Sequence, residues 1–530
     1  MPPDWDDHAD VVVVGFGGAG ACAAIEAARG GADVLVLDRF TGGGATALSG
    51  GVVYAGGGTS VQRAAGVPDS SSAMYDYLAR EVGDVVRPAT LRRFCDSSPA
   101  MIDWLAGLGV PFDPSVCPFK TSYPPDDYYL YYSGSENAWP FRSLATPAPR
   151  GHRAHGRGTS GRVLFDALSS AARDAGARVR PWTSAARLVV AAGRVVGVEC
   201  RSLASAPPRV RRRLAVLHRY ATKPGLYVPA LARRLHRRIA ALEKRWSRPV
   251  FVEARRGVVL AAGGFVANRE LMREHAPAYR GGLPLGTQGD DGSGIRLGVS
   301  AGGATDRLGV VSAWRFITPP SALLRGILVD ASGRRFVDES TYGAAIGSRV
   351  VAGGGRAWLL VDGSVVADAR RRLRGETLWF QRLQAHYLLR WSRLRGSLPD
   401  LARRAGIDPA GLTATVTSYG ATPDEFGKHP DLVAPLTAPY TLIDCSYGPR
   451  LGYPCPILTL GGLVVDESTG AVLDADGAPV PGLYAAGRTA VGICSNSYVS
   501  GLSLADCVFS GRRAGEHAAL HPAESPEAPR

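Results

Sequence analysis

Between Val11 and Asp38 the chain reads VVVVGFGGAGACAAIEAARGGADVLVLD: an apolar run, glycines at 15, 17 and 20, an alanine-rich stretch, and a second apolar run closed by an acid. Few folds accept this order. The apolar runs suit buried parallel strands and the stretch between them suits a helix, so the segment is predicted to be a βαβ unit. In such a unit Gly15, Gly17 and Gly20 allow the tight turn, close approach of a pyrophosphate and helix–strand packing. The helix N-terminus favours phosphate charge, and Asp38 can hold ribose hydroxyls. The G-x-G-x-x-G spacing is weak alone. Placed between strand and helix, with an acid ending the second strand, it predicts a dinucleotide site.

The loop that follows, TGGGATALSGGVVYAGGGT (Thr41 to Thr59), is built of small residues. It lets a second portion of cofactor lie against backbone, which a nicotinamide protein seldom needs. Two more apolar runs end in glycine, RRGVVLAAGGF (Arg255 to Phe265) and GLYAAGR (Gly482 to Arg488), so nucleotide-domain elements stand at both ends of the chain. From about Thr305 to Thr441 the texture changes to mixed strands and amphipathic helices, which predicts an inserted domain. The expected organisation is residues 1–304 and 442–530 as two parts of one nucleotide domain, with 305–441 between them.

The net charge of +14 is local: fourteen Lys and Arg and one acid, Glu243, fall between Arg201 and Arg248, a segment charge of +13. This stretch, 202–248, interrupts two strand-like segments, AGRVVGVEC and RPVFVEARRGVVLAAGG, that would pair as a hairpin. Val228, Leu231, Leu235, Ile239, Leu242 and Trp246 align on one helical face, with Pro229 suited to the first turn. Val210, Leu214, Leu217 and Ala221 hint at a shorter helix of the same type. An apolar stripe beside dense Arg fits a helix lying in an anionic lipid surface, so peripheral membrane contact through 210–246 is one expectation. A helical hairpin packed on its own domain or on a second subunit is the other. Nucleic acid is not expected, because no aromatic stacking platform accompanies the charge.

The eight cysteines are scattered with no C-x-x-C pair, and no ligand cluster has zinc spacing, so no metal site is expected. The acidic opening has no signal-peptide pattern and no run approaches about 18 apolar residues, which predicts a cytoplasmic protein. The tyrosine-rich SYPPDDYYLYYSG (Ser122 to Gly134) either walls a flat lipophilic ligand or packs as a loop.

Several stretches together resemble the flavoprotein family of fumarate reductases and 3-ketosteroid dehydrogenases: VVVVGFGGAGACAAIEAARGGADVLVLD, GGGATALSGGVV, RGVVLAAGGFVANRELM, GTQGDDGSGIRLG, GILVDASGRRFVDES, LARRAGIDPAGLTATVTSY and TLGGLVVD with GAPVPGLYAAGR. The resemblance covers nearly all of the chain outside the basic insertion. It implies an α/β fold: a Rossmann-like FAD-binding domain split in sequence, an inserted α+β cap, and substrate held between cap and flavin. The implied FAD contacts, noncovalent, are Gly15, Gly17, Gly18, Ala19, Gly20, Asp38, Arg39, Gly44, Ala45, Thr46, Ser49, Gly50, Gly51, Ala262, Gly263, Asp291, Gly487 and Arg488. Ser503 and Leu504, at the start of the last helix, would face the flavin pyrimidine.

Within that family a fumarate site resembles others in a His- and Arg-containing stretch before the final helix, since a dicarboxylate needs cations. Here SNSYVSGLSLADC (Ser495 to Cys507) has none. YVSG resembles instead the ketosteroid branch, in particular the enzymes that desaturate C4–C5 of saturated 5α-steroids. Relatives acting at C1–C2 have a glycine- and proline-rich version, from which Ser500 departs. The resemblance implies that Tyr498 and a backbone N–H near Leu502 polarise the ketone, and that Ser500 coupled to Tyr342 takes the α-proton. A steroid-like ketone and an external electron acceptor, a quinone or another, are the implied partners. A C1 dehydrogenase, an enoate- or fumarate-type reductase, and a basic binding protein on a flavin-domain scaffold are the alternatives.

Overall fold

The computed structural model describes residues 3–227, 229–420, 424–449 and 452–520. The first apolar run forms the strand Asp7–Val14, which lies between Val34–Leu37 and Arg248–Leu260 and runs parallel to both. Arg178–Arg180 extends the sheet beyond Val34–Leu37, and Pro479–Ala485 extends it beyond Arg248–Leu260, again in parallel. Ala471–Leu473 adds an antiparallel edge. Val11 to Val14 are buried without interruption. A parallel sheet covered on both faces requires this continuous apolar run in place of alternation.

On one face of the sheet the helix Gly18–Arg29 packs against the last helix, Leu502–Leu520, although nearly 500 residues separate them. The axes come close because the facing residues are small. A Cβ on Gly511 would lie 2.5 Å from the Ala19 carbonyl oxygen, and one on Gly515 only 2.2 Å from that of Ala23.

Arg194–Ser202 pairs antiparallel with Arg248–Leu260, from Gly197 opposite Glu253 to Ser202 opposite Arg248. From the end of this hairpin the basic segment rises as two helices, Pro208–Tyr227 and Pro229–Trp246. Their apolar faces meet each other and the sheet margin. Val210, Leu214 and Ile239 are buried with Phe40, Trp182 and Leu203, and Leu217, Leu235, Leu242 and Trp246 pack against the group. Leu231 is exposed; Val228 lies outside the described residues. The expectation of a stripe laid in lipid is thus corrected: burial against Phe40 and Trp182 already removes most of that apolar face from water. Among the described residues no helix is long and apolar enough to cross a membrane.

A second sheet, all antiparallel, has the order Ile327–Val329, Trp358–Asp362, Tyr440–Asp444, Arg393–Gly396. Its strands alternate in the expected period of two. Leu328, Leu359, Val361 and Ile443 enter one apolar cluster and Ile327, Val329, Trp358, Leu360 and Leu442 another, so both faces are covered by helices. The strand Tyr440–Asp444 runs across the boundary expected at 441/442. Thr305–Asp306 and Val311–Ala313 pair with Gly462–Leu463 and Pro456–Thr459, so residues 305–313 join the C-terminal segment in strand pairing.

The tight contact between first and last helices yields a prediction with a definite sign. Gly515→Ala improves helix propensity by about 1 kcal/mol, yet its Cβ has no room beside Ala23. Overpacking of this kind costs about 1–3 kcal/mol. The urea midpoint of the variant is expected to fall below that of the wild type; a higher midpoint would show that the helices are free to separate.

Candidate active site

The parallel strands end on the same side, and a cavity of about 1540 Å3 opens at their carboxyl ends, bounded by the last helix, the second sheet's helices and the basic helical pair. This is the ligand position that an open parallel sheet dictates. Of the expected cofactor residues, Gly15, Gly17, Gly18, Ala19, Asp38, Arg39, Gly44, Ala45, Thr46, Ser49, Gly50, Ala262, Gly263, Asp291, Arg488, Ser503 and Leu504 line it. Gly20, Gly51 and Gly487 do not. A Cβ at these three would lie 1.9 Å from the Gly15 oxygen, 2.6 Å from the Ser160 carbonyl carbon and 2.8 Å from the Ala19 Cβ, so their glycine character lets chain segments pass each other.

The residues present fit FAD. A Cβ on Gly17 would meet nothing nearer than Thr46 Oγ1 at 3.9 Å, so the protein itself does not demand glycine there; the cavity in front does. The Gly18 N–H donates to Thr46 Oγ1 at 3.0 Å, fixing the loop behind the site. Ser503 and Leu504 belong to the first turn of the last helix, whose leading N–H groups have no partner within the helix. Arg488 is buried, and its Nη2 donates to Asp290 Oδ1 at 2.5 Å, while Nη1 has no partner. Arg488 itself lines the cavity, so its wall carries a buried cation, partly offset by Asp290, that suits an anionic cofactor. Asp290 was not anticipated, although it stands inside GTQGDDGSG.

Asp38 also has a structural role. Its carboxylate already accepts N–H groups from Phe16 at 2.8 Å, Phe40 at 2.8 Å and Gly42 at 3.1 Å. Burial pushes this carboxyl above its ordinary range, and the three donors act in the opposite sense. Its position orders the turn after the second strand, and as a cavity-lining carboxylate with about four acceptor sites it keeps capacity for one further donor.

At the other end of the cavity the segment before the last helix meets the cap. The Tyr498 ring lies 5.0 Å from Trp314 and 6.4 Å from Tyr342, and Phe316 lies 5.7 Å from Tyr342. Ser500 Oγ is 3.0 Å from the Tyr131 hydroxyl, and Tyr342 also reaches Ser500. Ser133 Oγ donates to the Ser500 carbonyl, and Ser135 Oγ accepts the Tyr342 N–H, each at 3.0 Å. Three phenols and one serine hydroxyl thus converge. Burial is the main cause that pushes the phenols of Tyr131, Tyr342 and Tyr498 up, so all three are neutral hydroxyls over ordinary pH.

Leu502 requires a correction. It is fully buried, and its N–H donates to the Val499 carbonyl at 3.0 Å, so it is not offered to a ligand. The neighbouring Gly501, at φ +92°, turns the chain into the helix, and its backbone forms a hydrogen bond to the Tyr498 phenol. In the sequence Tyr131 is one of several tyrosines in SYPPDDYYLYYSG. Its companions mostly pack: Tyr123 donates to the Gly50 and Gly158 carbonyls, and Tyr128 meets Phe119. Nothing in the sequence separates Tyr131 from Tyr132.

Among the described lining residues, the cap side of the cavity contributes Trp314, Phe316, Ile317, Pro319, Leu323, Phe380, Leu388 and Leu389, with Thr318, Gln381 and Gln384, and no charged group. The opposite end carries Arg39, Arg201, Arg219, Lys244, Asp291 and Glu243. One long cavity therefore has a charged end and a neutral, largely apolar end.

Residues 10–502 match the FAD binding domain family, and the chain belongs to that family of FAD-dependent flavoproteins. It is 40% identical to a 3-oxo-5-alpha-steroid 4-dehydrogenase of Comamonas testosteroni, over 91% of this chain and 93% of the relative. It is 26% identical to a cytochrome-type fumarate reductase of Shewanella frigidimarina, over 97% of this chain and 78% of the relative. Among solved structures, a 3-ketosteroid-Δ4-(5α)-dehydrogenase of Rhodococcus jostii in complex with 4-androstene-3,17-dione superposes with a TM-score of 0.82 at 33% identity, covering 98% of this chain and 99% of the other.

Gly17 separates folding from cofactor retention. It has extended backbone angles that any residue adopts, φ −95° and ψ −162°, and protein atoms leave its Cβ position open. Gly17→Val is expected to fold with a wild-type circular dichroism spectrum and to purify without flavin absorbance. A yellow Gly17→Val protein would show that the cofactor backbone lies elsewhere.

Proposed function

We propose that the chain desaturates a 3-oxo-5α-steroid at C4–C5, beside its ketone, with FAD as the oxidant. The observation that carries this reading is the neutral end of the cavity, where hydroxyls converge between apolar walls and the cap contributes no Lys or Arg among the described lining residues. A dicarboxylate such as fumarate would need bidentate cationic partners there. A flat ketone needs apolar walls and a hydroxyl donor, and the relatives at 40% and 33% identity are both steroid dehydrogenases acting at this bond by name.

The reaction removes a proton from the carbon next to the ketone and a hydride from the carbon beyond it. FAD supplies, when bound, the two-electron acceptor. The chain's own groups handle the ketone oxygen and the proton. Tyr498 donates its hydroxyl to the ketone oxygen, where charge develops as the α-proton leaves. The Gly501 backbone hydrogen bond to the same phenol makes it a stronger donor. Donors aimed at such an oxygen in a dry site are the largest catalytic effect available to this architecture.

Ser500 Oγ receives the α-proton while passing its own to Tyr342 or Tyr131, the two phenols within its reach, and that phenol releases its own proton to solvent in turn, so each group ends neutral and one proton leaves the site per turnover. Burial disfavours a standing phenolate at either position, so the proton is handed along the hydrogen bonds as it arrives. The apolar walls hold the ring system flat and keep water from competing for the same hydroxyls. An external electron acceptor, a quinone or another, is required before a second turnover.

Anaerobic addition of a saturated 3-oxo-5α-steroid is expected to bleach the flavin absorbance, whereas fumarate's reduced form, succinate, leaves it unchanged; the opposite pattern would overturn the steroid reading. Tyr498→Phe should slow bleaching by about two orders of magnitude, the usual cost of an oxyanion donor, with FAD content retained. Ser500→Ala and Tyr131→Phe should each slow turnover, and the double variant should be no worse than the poorer single one if they form one relay. Fully multiplicative losses would separate Tyr131 from the proton path.

A further inference from the structure

The cap helix Trp379–Arg390 has two unlike faces. One carries Phe380, Gln381, Gln384, Ala385, Leu388 and Leu389 into the cavity wall. The other turns Trp379, Leu383, His386 and Arg390 to solvent at i, i+4, i+7 and i+11, and Trp391 follows at the helix end. Trp379, Leu383 and Trp391 are 73%, 67% and 75% exposed. A single exposed apolar side chain is ordinary, but three large ones along one helix mark a surface that meets something apolar. The Trp379 ring meets Phe380 edge-on at 5.8 Å, so this surface and the cavity wall are one aromatic pair apart.

The charge around the strip identifies the partner. From Arg370 to Arg395 the chain has eight Arg and one acid, Glu376. The preceding helix, Gly363–Glu376, lies alongside: Arg370 donates to the Leu389 carbonyl at 3.5 Å, and Arg382 donates back to the Arg374 and Thr377 carbonyls at 3.4 and 3.3 Å. Asp368 and Glu376, the acids of that helix, are taken up by Arg325, Arg371 and Arg372. Arg370, Arg374 and Arg390 are exposed. Burial, then Arg395, Arg370 and Arg390, hold the Arg393 guanidinium below its ordinary range, so four like charges crowd one patch. Such a patch calls for an anionic partner with an apolar interior.

We infer that Trp379, Leu383 and Trp391, ringed by these arginines, seat the protein on an anionic lipid bilayer. Trp and Leu side chains enter the boundary between headgroups and acyl chains, and the surrounding guanidinium groups meet lipid phosphates. A second copy of this chain fits less well, because a twofold contact centred on the strip would press the same arginines against one another. A nucleic acid strand would use the tryptophans for stacking but gains nothing from Leu383. The apolar stripe of 210–246 is buried in its own domain, so the lipid-facing chemistry stands on the cap instead. On the reading proposed above, a flat apolar ketone partitions into the same bilayer, and docking here sets the neutral end of the cavity beside its supply.

The test is co-sedimentation of the holoenzyme with vesicles of phosphatidylcholine, with and without phosphatidylglycerol, and no steroid present, so its failure is distinct from failure of the steroid reading. The wild type is expected to sediment with the anionic vesicles, less so at raised salt, and to stay in solution with phosphatidylcholine alone. A triple variant, Trp379→Gln with Leu383→Gln and Trp391→Gln, is expected to bind anionic vesicles about a hundredfold more weakly, with flavin content unchanged. Arg374→Gln with Arg390→Gln is expected to weaken binding about tenfold, and this pair carries the test if the triple variant loses flavin. Wild-type binding in both variants would overturn the proposal by placing the contact elsewhere on the chain. A wild type that ignores anionic vesicles would also overturn it; a dimer that the triple variant loses would then assign the strip to a second copy, and retention on single-stranded RNA would assign it to nucleic acid.

Discussion

The contact between the first and last helices is the constraint on which the site depends. Gly511 and Gly515 lie against the backbone of Ala19 and Ala23 at distances that exclude any side chain. This fixes the last helix relative to the glycine turn at its partner's head. Tyr498, Ser500 and Gly501 stand immediately before that helix, so a packing contact made of hydrogen atoms and methyl groups determines where the hydroxyls face the cofactor cavity. A shift of one residue along the seam would carry Tyr498 away from Trp314 and Tyr342 and leave Ser500 without Tyr131. Tight packing transmits such displacements because interiors have few voids to absorb them.

The cavity is electrostatically divided along its length. At the end near Asp38, Arg39 is held between Glu243 and Asp291, with further Arg and Lys on the basic helices around it. At the other end burial keeps three phenols protonated. Between them Arg488 is buried against Asp290 with one nitrogen unpartnered. FAD matches the division, since it is anionic at its centre and an uncharged tricycle at one end. The neutral end then suits a ketone, whose oxygen gains charge only during reaction. Hydroxyl donors favour that change without binding a permanent anion tightly beforehand.

Sequence reasoning found the parts of the site that are read from local pattern. Gly15, Gly17 and Gly18 were legible because a strand, a turn and a helix follow one another within a few residues. Tyr498, Ser500 and Tyr342 were legible through family resemblance, and the structure brings them together. Tyr131 and Asp290 were not legible, because each acts through a neighbour more than 190 residues away in sequence. Gly20, Gly51 and Gly487 clear neighbouring protein atoms and stand outside the cavity lining, which the sequence does not separate from the others: a glycine that clears backbone and a glycine that clears phosphate are the same letter.

The sequence alone determined the parallel sheet, its glycine turn, the two-part nucleotide domain with an insertion, and the absence of cations before the last helix. These follow from periodicity, composition and chain order. Tertiary structure decided what faced what. It showed the apolar stripe of 210–246 turned onto Phe40 and Trp182 and away from solvent. It tied Asp38 to its own loop, gave Leu502's N–H to Val499, and set Tyr131 beside Ser500. Period and propensity specify which face of an element is apolar. Only the packed chain specifies what covers that face and which of several chemically equal hydroxyls or carboxylates is left with a free lone pair.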